Sequence, residues 1–358
     1  MKPITIKTPK GKRKIGPGHP TFIIAEMSGN HNGSYQRAKK LIDAAVRASV
    51  DAIKMQTYTA DTITMDSRKK YFQVTVNKAW KGKTLYELYN QAYTPWHWQP
   101  RLKKYAESKG VMVFSTPFDH TAVDFLERMK VQLYKVASFE VIDIPLLKRI
   151  GKTKKPVIIS RGMASMADIK QALKVLKTHG CPQVAVLHCV SSYPADPEQM
   201  NLTTIPDIAK RFKVVSGLSD HSLDSSGGIT VPIASVALGA SIVEKHFTLR
   251  RSDGGPDAAF SLEPKELKQL VSSIREVELA LGKPNYKVGK KEAENVVFRK
   301  SIFVVKDVKK DEKFSKKNIR VIRPGYGLKP IEFDKLIGKS AKKDVKAGTP
   351  LSWSIVKK

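Results

Sequence analysis

Cysteine is scarce in this chain of 358 residues: Cys181 and Cys189 are the only two. Neither has histidine or cysteine neighbours at zinc-finger spacing, so no disulfide scaffold or structural zinc site is written here, and a reducing cytoplasm is the expected compartment. Long apolar runs are missing too. No stretch reaches the length of a membrane-spanning helix, and the basic N-terminus MKPITIKTPKGKRKIGPGHP lacks the apolar core of a signal peptide, so neither export nor membrane association is expected. There is no G-x-x-x-x-G-K-[ST] loop and no convincing dinucleotide fingerprint, which argues against a nucleotide ligand. Acidic residues are also in short supply, 33 Asp and Glu against 64 Lys and Arg, for a formal net charge of +31. That excess raises the question of nucleic acid or another polyanion. The lysines are scattered, however (Lys39, Lys40, Lys103, Lys104, Lys154, Lys155, Lys290, Lys291, Lys309, Lys310), without a dense arm or an aromatic RNA-binding signature. A solvated basic surface is therefore preferred, no specific nucleic-acid partner is expected, and the field would draw in a small anionic substrate.

What the chain does have is eight short apolar, β-branched runs, each followed by Gly, Ser, Pro or Asp and then by helix-period sequence. They are FIIAEMS from Phe22, AIKMQT from Ala52, MVFSTP from Met112, LYKVAS from Leu133, PVIISR from Pro156, QVAVLHCVS from Gln183, VVSGLSD from Val214 and IVEKHF from Ile242. This βα alternation, eight times over, predicts an α/β protein built on a (β/α)8 TIM barrel. Helices are expected over Gln36 to Ala48, Trp96 to Ser108, Ala122 to Met129, Met166 to His179 and Glu263 to Leu281, the last opened by Ser261. The interval from Tyr58 to Pro95 reads as a lid, with Tyr71, Phe72, Trp80, Tyr86, Tyr89 and Tyr93 available to pack on themselves or on a neighbouring subunit. The catalytic domain is placed at 1–283, a Gly- and Lys-rich linker at 284–295, and a compact mixed domain at 296–358.

Polar residues stand at the C-terminal ends of all eight runs, the face on which barrel enzymes build active sites. They are Glu26; Lys54 and Gln56; Ser115 and Thr116; Lys135 and Ser138; Ser160 and Arg161; Ser191 and Tyr193; Ser219, Asp220 and His221; Glu244 and His246. Charges inside a β-run need partners or a ligand, and four of them together favour function over isolated structural ion pairs. Two lysines with a ring of hydroxyls suit a small phosphorylated metabolite. His221 and His246, on adjacent strand ends with carboxylates nearby, suit a first-row divalent cation with open positions.

The order and spacing of IIAEMSGNHNG (Ile23 to Gly33), AIKMQTYT (Ala52 to Thr59), FSTPFD, YKVAS, GLSDHS, EKHFT and GGPDAAFSL (Gly254 to Leu262) resemble the sialic acid synthase family along nearly the whole chain. The tail, with RKSIFVVKDVKKDEKFS and IRPGYG, resembles the antifreeze-like (SAF) domain of these enzymes. IKMQTYTADTITM, LYELYNQAYTPWHW, HCVSSYP and RPGYGLKP are similar to the pseudaminic acid branch, and Ser191 stands where N-acetylneuraminate synthases carry Asn. The resemblance implies a transferase that joins phosphoenolpyruvate to an open-chain 2,4-diacetamido-2,4,6-trideoxy hexose. N-Acetylneuraminate or legionaminate synthesis from N-acetylmannosamine or a related diacetamido sugar remains the alternative. It further implies that Lys54, Gln56, Thr116, Lys135, Ser138, Ser160, Ser191, Tyr193 and Ser219 form the phosphoenolpyruvate site. His221 and His246 would hold Mn2+ (or Mg2+ or Co2+), and Glu26 and Glu244 would be the catalytic carboxylates, either of them the base for water. Asp257 and Arg323 would meet the sugar, with Arg323 crossing from the SAF domain of one subunit to its partner in a domain-swapped homodimer. Two rivals stay open: a polyanion-binding protein on a barrel scaffold, and a different barrel enzyme such as another phosphoenolpyruvate-aldose synthase or a class II aldolase.

Overall fold

The structure, a computed structural model, describes residues 2–75, 81–223 and 226–357. The chain divides into two compact units, Met1–Gly282 and Lys283–Lys358. In the first, eight parallel strands close into a barrel: β3 (Phe22–Glu26), β4 (Ala52–Thr57), β5 (Met112–Pro117), β6 (Tyr134–Val136), β7 (Val157–Ser160), β8 (Val184–His188), β9 (Val215–Asp220) and β10 (Ile242–His246), which returns to pair with β3. All eight apolar runs are barrel strands, in order.

The strands explain themselves by their period of two. One set of side chains, among them Phe22, Ile24, Ala52, Met112, Phe114, Leu133, Ile158, Leu187, Val215 and Ile242, forms a single buried cluster. Its members alternate along each strand with Ile23, Ala25, Ile53, Met55, Val113, Val157, Ile159, Val186 and Val243, which belong to the larger cluster shared with the helices. The first cluster therefore fills the lumen and the second lies between the sheet and its helical coat. Helix α1 (Tyr35–Arg47) shows the complementary pattern. It buries Ala38, Leu41, Ile42 and Ala45 on one stripe, and Ser34 caps it by accepting the Arg37 N–H.

Three departures from the sequence reading have physical causes. Ahead of the barrel, β1 (Ile4–Thr8) and β2 (Gly11–Ile15) form an antiparallel hairpin, where only a basic N-terminus was expected. Ile4, Ile6 and Ile15 join the luminal cluster, so the hairpin plugs the barrel at the end where the strands begin. Helices α6 (Ile144–Gly151), α8 (Thr204–Phe212) and α9 (Thr230–Ala237) were not among the helices given bounds from the sequence. Each is short and carries a proline in its first turn, Pro145, Pro206 or Pro232, where a missing N–H costs little but a periodic pattern is interrupted. Helix α10 (Pro264–Leu281) begins at Pro264 with Glu263 as its cap, not at Ser261; the Glu263 N–H donates to the Glu266 carboxylate.

Between β4 and β5 the chain makes an excursion with a helical turn α2 (Ala60–Ile63) and helix α3 (Leu85–Ala92). Tyr89 of α3 packs edge-on against Tyr58, which packs in turn against Phe118, while Tyr71 is exposed. Trp80, expected in this lid, lies outside the described residues. In the second unit β11 (Ser301–Val304) pairs antiparallel with β12 (Ile319–Ile322) over a core of its own that includes Ile302, Val304, Phe314, Leu336 and Leu351. Among the described residues no helix is long and apolar enough to cross a membrane.

Candidate active site

The luminal rows do not stay apolar. Two residues beyond Ile24 stands Glu26; beyond Ala52, Lys54 and then Gln56; beyond Phe114, Thr116; beyond Leu133, Lys135; beyond Ile158, Ser160; beyond Ile242, Glu244 and His246. Strand register sets Glu26 beside Lys54, Gln56 beside Thr116, Ser219 beside Glu244 and Glu26 beside His246. The same alternation that fills the lumen thus delivers a polar layer to the end of the barrel where the strands finish.

Lys54 is the hub of this layer. Its Nζ lies 2.5 Å from Glu26 Oε2 and 3.4 Å from Glu244 Oε1, and donates to Thr116 Oγ1 at 3.3 Å. Lys135 Nζ stands 3.7 Å from Glu244 Oε1 and donates to Ser160 Oγ at 2.6 Å. Glu244 Oε1 also accepts from Ser219 Oγ at 3.2 Å, and Glu26 Oε1 accepts from Gln56 Nε2 at 3.2 Å and from the Ser28 N–H at 3.0 Å. Burial lowers the Lys135 pKa, with Glu244 opposing and Lys54 adding to the fall. At Lys54 burial again works to lower the pKa, but the Glu244 and Glu26 carboxylates outweigh it and the pKa is raised. Burial also works against the Glu244 carboxylate, but Lys135 and Lys54 overcome it and bring its pKa down to about 2. It is a fixed anion at neutral pH.

Above this layer sit the two imidazoles, their ring centroids 5.3 Å apart and both against Phe260. Burial, then His246, lowers the His221 pKa to about 3, so the ring is neutral. Its Nδ1 lies 3.0 Å from the Val190 carbonyl oxygen, an atom that can only accept, so Nδ1 carries the proton and Nε2 keeps its lone pair. His246 Nδ1 and Glu244 Oε2 are buried without a hydrogen-bond partner, and His246 Nδ1 stands 3.4 Å from Asp257 Oδ2. A neutral ring with a free lone pair, as at His221, is the form that ligates a divalent cation, and the unpartnered His246 Nδ1 and Glu244 Oε2 stand near it, so the donor set fits one. Among the described residues it is a sparse set, with no group of three or more His, Cys, Asp or Glu arranged as ligands.

One cavity of about 490 Å³ collects Lys54, Gln56, Lys135, Ser138, Ser160, Tyr193, Ser219, His221, Glu244, His246 and Asp257. Glu26 and Thr116 lie directly behind Lys54, and Ser191 bonds Ser138 Oγ at 2.9 Å from the rim. Arg323 belongs to the other compact unit. Ser28 and Glu140 are among the polar members that sequence reasoning missed. Ser28 lines the cavity and donates its hydroxyl to Asp257, and Glu140 lines it with Oε2 unpartnered. Burial raises the Glu140 pKa to about 7, against the pull of Lys135. Ser28 was findable, because it is two positions past Glu26, the luminal alternation carried one step into the loop; Glu140, five past the luminal Lys135, falls outside that alternation.

Comparison with known proteins bears on this site. The chain matches the NeuB family over residues 41–286 and the SAF domain over residues 299–357. A pseudaminic acid synthase from Campylobacter jejuni is 42% identical over 330 residues, covering 92% of this chain and 95% of that protein. An N,N'-diacetyllegionaminic acid synthase from the same species is 36% identical over 330 residues, covering 91% and 97%. The crystal structure of N-acetylneuraminic acid (sialic acid) synthetase from Leptospira borgpetersenii, in complex with citrate, superposes with a TM-score of 0.69 at 34% identity, over 79% of this chain and 93% of that one.

Proposed function

The chain belongs to the NeuB family and ends in a SAF domain, and on that premise we propose that it condenses phosphoenolpyruvate with an open-chain 2,4-diacetamido-2,4,6-trideoxy hexose to give a pseudaminic-type nonulosonic acid and phosphate. The observation that carries this reading is the polar layer itself: two buried lysines and the Ser138, Ser160 and Ser219 hydroxyls share one cavity with buried carboxylates and two imidazoles. A chain of such residues suits a phosphorylated, carboxylated small molecule better than any polyanion.

In this reaction the C2=C3 electron pair of phosphoenolpyruvate forms the bond from C3 to the aldehyde carbon, whose C=O π pair passes to its oxygen and takes up a proton. Water bonds to the cationic C2 and gives up a proton, and the bond from C2 to the phosphate oxygen then breaks, its pair leaving with phosphate as the C2 hydroxyl loses its proton to become the ketone. Lys54, Lys135, Thr116, Ser138, Ser160 and Ser219 hold the phosphate and carboxylate, with Gln56, Ser191 and Tyr193 around them. His221 and His246 would hold a divalent cation such as Mn2+, which when bound supplies Lewis-acid polarisation of the aldehyde oxygen. Glu244, with its low pKa, orients and offsets positive charge but makes a poor base. Glu26 remains the base for water. Asp257, held by Ser28, meets sugar hydroxyls.

Arg323 completes the sugar site from the SAF domain of a partner subunit in a homodimer. Mixing Arg323→Ala with Glu26→Ala tests this: exchanged subunits regain activity at one intact site per heterodimer, and no recovery despite verified exchange rejects the crossing. With both cysteines free, the enzyme works in a reducing cytoplasm. The reaction is tested by mass spectrometry of products after offering phosphoenolpyruvate and a divalent cation with a panel of 2-acetamido and 2,4-diacetamido hexoses. A product of the expected mass, with phosphate released, supports it; phosphoenolpyruvate left intact with every sugar rejects it.

A further inference from the structure

The cavity has two unlike halves. Its floor is the charged layer of the barrel, while the excursion between β4 and β5 supplies a roof of Ile63, Val74, Leu85 and Leu88, continued by Tyr89 and Phe118. Val74 and Leu88 are themselves buried, so these side chains form a built wall and not a loose fringe. Gln73 and Thr75 border the same wall, but the other side chains it presents to the cavity offer few hydrogen-bond groups. The Tyr58 hydroxyl, behind Tyr89, stays protonated because burial and then Asp257 push its pKa up.

An ordinary hexose carries a hydroxyl at nearly every carbon. Anchored on the charged floor through its aldehyde end, it would press its far end against this roof and leave a hydroxyl there without water or partner. Such a group costs free energy that a methyl in the same place does not. Resting on the synthase reading above, we infer that the Ile63, Val74, Leu85 and Leu88 wall is the specificity determinant of the sugar site, selecting an acceptor that ends in methyl groups, one at a deoxygenated terminal carbon and others on N-acyl substituents. The wall acts on the sugar alone. It is uncharged and comes from the excursion after β4, whereas the lysines stand on β4 and β6, so KM for phosphoenolpyruvate should be indifferent to it.

The test compares two 2,4-diacetamido sugars of the same configuration, one deoxygenated at C6 and one hydroxylated there, at saturating phosphoenolpyruvate and divalent cation. The unmodified enzyme is expected to favour the 6-deoxy sugar by about 10²-fold in kcat/KM, the discrimination typical of an apolar pocket against an added hydroxyl. Leu88→Ser and Ile63→Thr should each narrow that ratio about 10-fold, chiefly by improving the hydroxylated sugar, with KM for phosphoenolpyruvate unchanged and Leu88→Met restoring the original preference. Ile63, half-buried in the short helical turn, serves as the independent variant if Leu88→Ser loosens helix α3. Equal use of the two sugars by the unmodified enzyme, or an unchanged ratio in both folded variants, overturns the inference and leaves the synthase reading standing. Turnover of neither these nor any other amino sugar would sink both.

Discussion

The two ends of the barrel lumen use one backbone pattern for opposite purposes. At the end where the strands begin, the inward positions hold Phe22, Ala52, Met112, Leu133, Val215 and Ile242, sealed by the hairpin isoleucines. A few residues further along the same strands, the inward positions hold Glu26, Lys54, Lys135, Ser219 and Glu244, equally buried. The first end gains from removing apolar surface from water; the second carries desolvated charges that balance only one another, and such a network is rarely retained for stability alone. What the difference teaches is that burial by itself marks neither core nor site. The informative residue is the polar one that keeps the core's period.

The largest expected effect breaks this contrast directly. Lys54→Met leaves the Glu26 and Glu244 carboxylates facing each other without their shared cation, and should cost about 3–5 kcal/mol of unfolding free energy while raising KM for phosphoenolpyruvate far more than KM for the sugar. Met112→Ala, at the apolar end, should cost a comparable 2–5 kcal/mol through its cavity yet leave both Michaelis constants of the folded fraction unchanged. Denaturant titration beside steady-state kinetics separates the two, and equal kinetic damage from both would erase the distinction between the ends.

The outer face of the same strands offers a control with charge but without substrate. Lys245 Nζ lies 2.5 Å from Asp220 Oδ2 and also donates to the Ser222 carbonyl, while Asp220 accepts from the Ser222 N–H and hydroxyl; both members of the pair are fully buried. Asp220→Leu should destabilise by about 3–5 kcal/mol because it strands the ammonium, whereas the double change Asp220→Leu with Lys245→Met should recover most of that loss. Failure of the double mutant to recover would mean that the Ser222 contacts, not the charge balance, carry the loop that holds His221.

A pH measurement sharpens the boundary where strand gives way to loop. The Glu140 pKa of about 7 in the folded protein lies above the 4.5 of an ordinary glutamate, so between those values the native state keeps a proton that the unfolded chain has lost. Stability from this group is therefore fully present below pH 4.5 and declines as pH rises to about 7, by an amount on the order of 3 kcal/mol. Glu140→Gln should flatten that decline. Unfolding free energies that fall equally in both proteins would place the titration elsewhere.

The barrel was legible because each strand is a compact apolar run, and the site because its charges sit inside those runs, where the sequence alone makes them conspicuous. Ser28 and Glu140 were not, since a polar residue just past a strand end looks like any loop residue; carrying the alternation outward recovers Ser28, but Glu140 stands off the parity of Lys135. The N-terminal hairpin hid behind its lysines: Ile4 and Ile6 alternate as a strand should, but the charges between them read as a basic tail. Proline did the same for α6, α8 and α9 by interrupting the apolar stripe at its first turn. The excursion over the mouth showed its aromatics but not its wall, because Ile63, Val74, Leu85 and Leu88 come from separate short pieces with no common period.

The smallest effect belongs to the exposed charges of the second unit, which has 22 Lys and Arg against 8 Asp and Glu from residue 283 onward. Lys309 pairs with Asp344 at 3.2 Å, both well exposed, and water competes for such a pair at every point. The two partners are not equivalent, however. Asp344 Oδ1 also accepts the Lys310 backbone N–H at 2.8 Å, the leading cause of its lowered pKa, so the carboxylate ties down a turn that the ammonium does not. Lys309→Ala should leave the melting temperature unchanged, while Asp344→Ala should lower it slightly, and added salt should alter neither result much because the backbone bond is not an ion pair. Equal losses from the two substitutions, abolished together by salt, would show the ion pair to matter here as it does beside Lys54, and the contrast between buried and exposed charge would then fail.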